Sequence, residues 1–278
     1  MSVIIGIDVG GSTTKIVGYT DKAHLISMLK VEAADPMTSA YGALGKFVNE
    51  NKLKLSDVKQ IILTGVGSSL FKKDIYGIPA ATVNEFEAIG LGGLALCKKT
   101  EGLIVSMGTG TAFVRAGKNG ICHIGGSGVG GGTVVGLSGK LCGVKSFQSI
   151  VELAAKGNLH KTDLNISDIS TNVIPTLAPD ITASNFGKMA DGLSAADLSA
   201  GVLNMVFQTI GMMAVFACRN DRVKDVILTG TLTMVPSAKK TFDMLHKMHG
   251  INFIIPKNAI YATATGAALS YLKKKRKQ

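Results

Sequence analysis

The chain has 278 residues, 46 % of them hydrophobic, with no Trp and only 5 % aromatics. That is enough for a full core and suits two domains sharing a cleft. The net charge is +11, but Lys273-Lys274-Lys275-Arg276-Lys277 supplies five of those charges. No basic stretch interleaved with aromatics occurs, which argues against a nucleic-acid partner and leaves a small anionic one. Cys97, Cys122, Cys142 and Cys218 are scattered without a C-x-x-C, against a zinc site and in favour of a reducing compartment. Met1 leads straight into an apolar strand pattern, so a cytoplasmic protein without a signal peptide is expected. The longest apolar run, Val202 to Cys218, contains Asn204 and Gln208 and falls short of a bilayer span. It reads as a buried helix, with no membrane partner. Its methionines (Met205, Met212, Met213) equally suit a subunit seam, and a homodimer is expected.

Ile4 to Gly18 reads as strand, tight turn, strand. Asp8 stands at the end of the first strand. Gly10 and Gly11 permit close backbone approach to a bulky anion. Ser12, Thr13, Thr14 and Lys15 offer donors to phosphate, and Asp8 offers a hard oxygen for magnesium. A hairpin whose glycines only make the turn is an equal reading on this stretch alone. Asp21 to Lys30 turns into a third strand. Pro36 opens a helix through about Lys52, with Leu44, Phe47 and Val48 on one face. Lys59 to Gly67 is a buried strand running into a glycine turn, Phe71 to Tyr76 a short helix, and Ile78 to Val83 a short strand. Asn84 caps a helix through about Cys97, with Glu87 as its capping-box partner.

The second half repeats the plan. Gly102 to Arg115 is again strand, Gly/Thr turn (Gly108-Thr109-Gly110-Thr111), strand. Val226-Ile227-Leu228-Thr229-Gly230-Thr231 echoes Ile61-Ile62-Leu63-Thr64-Gly65-Val66. Ala262 to Tyr271, with Gly266, matches the Gly90/Gly92/Gly93 helix. Three matched elements in one order imply a duplicated α/β domain around a cleft, divided near Lys98 to Gly102 into residues 1–101 and 102–278. This ordered set resembles the actin/sugar-kinase/Hsp70 ATPase superfamily. The resemblance implies a duplicated actin-like (ribonuclease H-like) fold with two domains flanking a nucleotide cleft, and ATP with magnesium as cofactors.

Gly125 to Thr133 is a glycine-rich loop between a strand and the helix from Val134 to about Leu141. Backbone N–H groups at such a helix start cradle anions. A flexible linker is the alternative, but linkers seldom run straight into an apolar helix. Together with Val83-Asn84-Glu85-Phe86-Glu87-Ala88, Met107 to Thr111, Leu137-Ser138 and Asp180-Ile181-Thr182-Ala183-Ser184-Asn185-Phe186-Gly187-Lys188, it resembles the bacterial type II pantothenate kinases over essentially the whole chain.

That resemblance implies roles residue by residue. Asp8, Gly10, Gly11, Ser12, Thr13, Thr14 and Lys15 would bind ATP and magnesium, the metal through Asp8. Gly108, Thr109, Gly110 and Thr111 would form the second phosphate turn, with Thr109 also near substrate. Gly130, Gly131, Gly132, Thr133, Val134 and Val135 would line the ATP site. Phe147 would pack near the nucleotide, and Gly230 and Thr231 would hold the adenosine side. Glu85 falls on the general base, with Lys15 neutralising charge during transfer. From the residues alone, a carboxylate in a helix's first turn equally serves the helix dipole. Arg115 reads as a surface charge. Asn185 and Lys188 lie in the signature segment without an evident mechanism, and Asp180 and Ser184 suit turn caps there.

Two positions depart from the family pattern. His123 stands where an arginine commonly precedes the glycine loop, and Ala112 where a serine follows the phosphate turn. A carboxylate-bearing acceptor therefore loses two expected contacts. The reading is an ATP-dependent kinase for the primary hydroxyl of pantothenate, the first step of coenzyme A biosynthesis. Its alternatives are a kinase for pantetheine or another small alcohol or sugar, and a nucleotide sensor without transfer. A dehydratase-type ATPase activator would need a cysteine beside a Gly-Thr-Gly loop, and the chain lacks a Cys-Ala-x-Gly-Thr-Gly stretch.

Overall fold

In a computed structural model the chain is described over residues 2–275, apart from 12, 33–34, 72, 171–177 and 189. The elements in chain order are β1 (Val3–Val9), β2 (Thr13–Thr20), β3 (Leu25–Glu32), α1 (Pro36–Glu50), β4 (Val58–Thr64), β5 (Asp74–Ile75), β6 (Ile78–Thr82) and α2 (Glu85–Cys97). Then come β7 (Gly102–Met107), β8 (Thr111–Gly117), β9 (Gly120–Ser127), α3 (Gly131–Cys142), α4 (Phe147–Ala154), β10 (Leu164–Asn165), α5 (Ile166–Ile169), β11 (Thr182–Ser184), α6 (Ala195–Ala217), β12 (Asp225–Thr229), α7 (Pro236–His249), β13 (Asn252–Ile254) and α8 (Ala262–Lys275). The first sheet runs β3-β2-β1-β4-β6-β5 and the second β13-β12-β7-β8-β9. Apart from β5, they match strand for strand. Each opens with an antiparallel meander (β1, β2, β3 and β7, β8, β9) and continues with a parallel strand beside the first (β4 and β12) and another beyond it (β6 and β13).

β1 is buried along its whole length because both faces are covered. Side chains alternate between faces. Val3, Ile5, Ile7 and Val9 join Ala40, Leu44 and Phe47 of α1 in one cluster, whereas Ile4 joins Ala264, Ala268 and Leu272 of α8 in another. Gly6 shares the α8 face, where a Cβ would lie 2.1 Å from the Ala264 carbonyl oxygen. The second sheet packs on α6 through Val105, Met107, Val202, Val206, Phe207 and Ile210. Its other face takes α2, through Ile89 against Ile104, Val114 and Ile227. Each sheet is therefore covered by a helix that follows it at a different remove. α2 leaves the first sheet and packs on the second, and α8 leaves the second and returns to the first. The two helices meet backbone to backbone: a Cβ on Gly266 would sit 1.8 Å from the Ala88 carbonyl oxygen, and one on Gly92 1.7 Å from that of Ala262.

Several local expectations are corrected. Phe71 to Tyr76 is not a helix. Asp74 and Ile75 pair antiparallel with Pro79 and Ile78, and Tyr76-Gly77, both at positive φ, make the two-residue turn that suits a twisted hairpin. Asn84 caps α2 through Phe86 N–H and Glu87 N–H, but the Glu87 carboxylate makes no return bond. Gly125 and Gly126 belong to β9, so the glycine loop shrinks to the few residues before α3. Arg115 is half-buried and ion-paired with Asp221 at 2.7 Å. α6 is a buried core helix as expected; it is long and apolar enough to cross a membrane by composition, but most of it lies inside the fold. The basic tail extends α8 as far as Lys275 with exposed side chains; Arg276 and Lys277 lie outside the described residues.

Candidate functional site

The chemistry begins at the end of β1. Asp8 lies on the same strand face as Ile4 and Gly6, the face that looks toward α8, and is register-paired with Lys15. Their side chains approach to 3.6 Å and both are buried. Burial pushes the Asp8 carboxyl above its usual range, against the opposing charge of Lys15. Gly65 closes on the same carboxylate: at φ +85° it needs glycine, and a Cβ there would lie 2.7 Å from Asp8 Oδ1. The turn is closed by Gly10 N–H donating to the Thr13 carbonyl at 3.1 Å. Gly11 is exposed with open space around it, and Thr13 is half-buried. Thr14 points the other way. Its hydroxyl is buried and accepts a 2.7 Å hydrogen bond from Ser39 of α1, so it is spent on packing rather than offered to a phosphate. Ser12 lies outside the described residues.

Glu85 is the first residue of α2 and is half-buried. Its carboxyl is pushed up by burial and then by the charge of Asp8, and is drawn down by Lys15. The three groups thus share one electrostatic neighbourhood, although Glu85 rides on a helix packed against the second sheet and the other two belong to the first.

The second hairpin follows the same plan with a turn one residue shorter. Gly108 N–H donates to the Gly110 carbonyl at 2.9 Å, and Thr109 is exposed at the tip. Thr111 Oγ1 donates to the Val129 carbonyl at 2.8 Å. At φ +89°, Gly230 approaches Met107 as Gly65 approaches Val9. The register positions equivalent to Asp8 and Lys15 are Ser106 and Ala112. The fold is duplicated and the charged pair is not.

The glycine-rich start of α3 is already occupied. Gly131 N–H donates to the Gly108 carbonyl and Gly132 N–H to that of Thr109, each at 2.8 Å, while Gly130 N–H donates to Thr133 Oγ1 at 3.1 Å. These amides hold the helix against the second hairpin and are not free for an anion. The glycines are needed for that approach, since a Cβ on Gly130 would lie 2.6 Å from the Thr109 carbonyl oxygen. The Thr133 hydroxyl also donates to the Gly128 carbonyl. Val134 is buried in the second core, with Val135 and Phe147 packed against it. Thr231, half-buried, opens a short helical turn after Gly230; Leu232 of that turn lies 3.9 Å from where a Gly131 Cβ would stand, so this turn and the start of α3 adjoin.

The two departures from the family pattern lie side by side. Ala112 packs in the α2 cluster with Phe86. His123 is stacked flat on Phe86, with ring centroids 3.8 Å apart and planes 6° from parallel. Phe86, immediately after Glu85, and Gly65, beside Asp8, carry no site role in the sequence reading. For Gly65 a signal existed in its echo at Gly230. The signature segment resolves into a structural clamp. Asp163, buried, accepts from Asn185 Nδ2 at 3.1 Å, Phe186 N–H at 3.0 Å and Asn204 Nδ2 of α6 at 2.7 Å. Lys188 pairs with Asp168 at 2.9 Å and donates to the His160 carbonyl.

Two matched sheets, each with a glycine hairpin and a positive-φ glycine behind it, define an actin-like ATPase fold. The solved activator of the 2-hydroxyisocaproyl-CoA dehydratase from Clostridium difficile, with bound ADPNP, aligns over 99 % of this chain and 97 % of its own at a TM-score of 0.70 and 15 % identity, a likeness of fold. Among curated relatives, a type II pantothenate kinase of Bacillus cereus (strain G9842) is 28 % identical over 83 % of this chain and 84 % of its own length. That of Staphylococcus aureus (strain USA300) is 26 % identical over 82 % and 84 %. The Fumble family model matches residues 97–253, and the chain belongs to that family. The resemblance and the fold class read from the sequence are both borne out.

Proposed function

We propose that the chain is an ATP-dependent kinase that phosphorylates the primary hydroxyl of pantothenate, with Glu85 as general base. The observation that carries this is the convergence of Glu85, on a helix packed against the second sheet, with Asp8 and Lys15 of the first sheet, beside two glycine hairpins. A primary alcohol is a poor nucleophile near neutrality, so a base within reach must take its proton as the γ-phosphoryl group transfers. The raised Glu85 carboxyl suits that task. Lys15 supplies fixed positive charge against the developing phosphate charge. On this reading the halves 1–101 and 102–278 act as the two lobes, with Thr109 and the Gly10-Gly11 turn reaching toward the phosphates and Thr231 standing on the adenosine side. The named relatives and the nucleotide in the aligned structure support it.

Asp8 fits magnesium. It is a buried carboxylate paired with Lys15 and near Glu85, and magnesium is commonly held by one or two carboxylates with substrate phosphates and waters completing its shell. When bound, the metal would neutralise charge on the phosphates. The half-exposed face of α6, with Met205, Met212, Met213 and exposed Phe216, is the proposed seam of a homodimer. A cytoplasmic setting accords with the four free cysteines.

A second reading is favoured by the Phe86–His123 stack. A ring laid flat on an aromatic does not replace a forked guanidinium, so an uncharged pantetheine-like alcohol suits this pocket better than a carboxylate. The test is a panel of pantothenate, pantetheine and hexosamines with Mg-ATP, using wild type and Glu85→Gln. Glu85→Gln is expected to lose roughly 10²–10⁴-fold in kcat while still binding ATP. Wild-type kcat is expected to fall as pH drops through a pKa above the ordinary Glu value, because the base must be ionised. Intact transfer in Glu85→Gln removes Glu85 from its role, and tight ATP binding with no product from any acceptor in wild type supports a sensor.

A further inference from the structure

A cavity of about 590 Å³ lies along the outer side of α2, lined by Asn84, Phe86, Glu87, Leu91, Leu94 and Ile121 among others. Glu85 is not on its wall, though its neighbours are. His123 closes one side through its stack on Phe86. Lys273 and Lys274, near the end of α8, stand on another. The floor is apolar: Leu91, Leu94 and Ile121 line it, and Ile121 fills the space that the missing Gly90 side chain leaves. Both lysines are exposed and neither has a carboxylate partner among the described residues. Glu87 is the one acid on the wall, and the two lysines outnumber it. The same groove continues into a smaller cavity between Leu91, Ala95, Leu269, Leu272 and Lys273.

The groove joins the two halves. Its β9 and α2 walls belong to the second sheet's cluster, and its lysines sit on the helix that covers the first. We propose that this groove binds a small amphipathic anion, a phosphate or carboxylate on an apolar body, and that it is separate from the nucleotide cleft. The apolar body lies along Leu91, Leu94 and Ile121, and the anionic head pairs with Lys273 and Lys274. Because α2 is a wall of the groove and carries Glu85 at its first residue, occupancy there bears on the position of Glu85. The groove shares its Phe86 and His123 wall with the acceptor pocket proposed above and extends beyond it along Leu91, Leu94 and the two lysines.

The test uses octyl phosphate as probe, titrated calorimetrically into the full chain, with octanol and inorganic phosphate as comparison ligands. Saturable one-to-one binding of octyl phosphate is expected, with either comparison ligand at least tenfold weaker. Lys273→Glu/Lys274→Glu is expected to weaken octyl phosphate at least tenfold without a change in melting temperature, and Ile121→Trp, which fills the floor, to do the same. Asp8→Asn and a saturating non-hydrolysable ATP analogue are expected to leave octyl phosphate binding unchanged. Equal affinity in wild type and the lysine variant, or displacement of the probe by the ATP analogue, overturns the proposal. If the lysine variant unfolds, retained affinity in Ile121→Trp overturns it alone.

Discussion

Gly266→Ala tests whether the crossing of α2 and α8 is set by backbone contact. The added Cβ would lie 1.8 Å from the Ala88 carbonyl oxygen, where real Cβ contacts are not found below 3.0 Å, so the helices must part by at least 1.2 Å (3.0 less 1.8). The obstacle is backbone on a packed helix, which has no rotamer to change, so the cost belongs at the upper end of overpacking, roughly 3 kcal/mol. Alanine returns about 1 kcal/mol of helix propensity. The net loss is about 2 kcal/mol, on the order of thirty-fold in the folding equilibrium. Gly42→Ala is the control: it lies within α1, exposed and with open space around it, and is expected to gain up to about 1 kcal/mol. Urea unfolding monitored by circular dichroism measures both. A Gly266→Ala protein as stable as wild type, or more so, would refute the close-contact argument and leave propensity as the whole effect.

Asp163→Ala leaves three partly buried donors from Asn185, Phe186 and Asn204 without an acceptor and is expected to cost roughly 3 kcal/mol, read in the same urea assay. His123→Arg with Ala112→Ser introduces the two groups of the family pattern; on the proposed acceptor reading KM for pantothenate is expected to fall about tenfold, as one charge-assisted hydrogen bond allows, with KM for pantetheine unchanged in steady-state assays. Asp197 is held down to about 2 by hydrogen bonds from Asn158 N–H and from the Ser194 hydroxyl and N–H. A depressed carboxyl stabilises the fold above its unfolded value, and that contribution disappears as pH falls from about 4 toward 2. Melting temperature is therefore expected to drop more steeply over that interval in wild type than in Asp197→Asn.

The elements that were legible in sequence are those governed by short range. Val3 to Val9, the ILTG strands and the Asn84 cap follow from apolar runs, glycine punctuation and capping chemistry within a few residues. The duplication was legible because both copies kept their turn glycines. Errors arose where a local pattern had a distant partner. The amides of Gly131 and Gly132 read locally as an anion cradle, but the Gly108 and Thr109 carbonyls, distant in sequence, occupy them. Phe71 to Tyr76 looked helical because nothing nearby announces that Ile75 pairs across a two-residue turn with Ile78. Arg115 looked solvated because Asp221 lies far along the chain. Within the candidate site, Asp8, Lys15 and Glu85 were legible, while the stacking of His123 on Phe86 required two elements to be brought together.

The exchange of α2 and α8 has a consequence for how the chain is made. During synthesis from the N-terminus, the β1 and β2 face bearing Ile4, Val17 and Tyr19 emerges early. The helix that covers it begins only at Ala262. For most of translation that apolar face has no native partner, and α2, emerging next, has neither the second sheet nor α8 to pack against. The nascent first half must wait, open on one side, for the chain to return. A product stopped before α8 therefore exposes a sticky sheet face, which makes the docking of α8 the step that covers it.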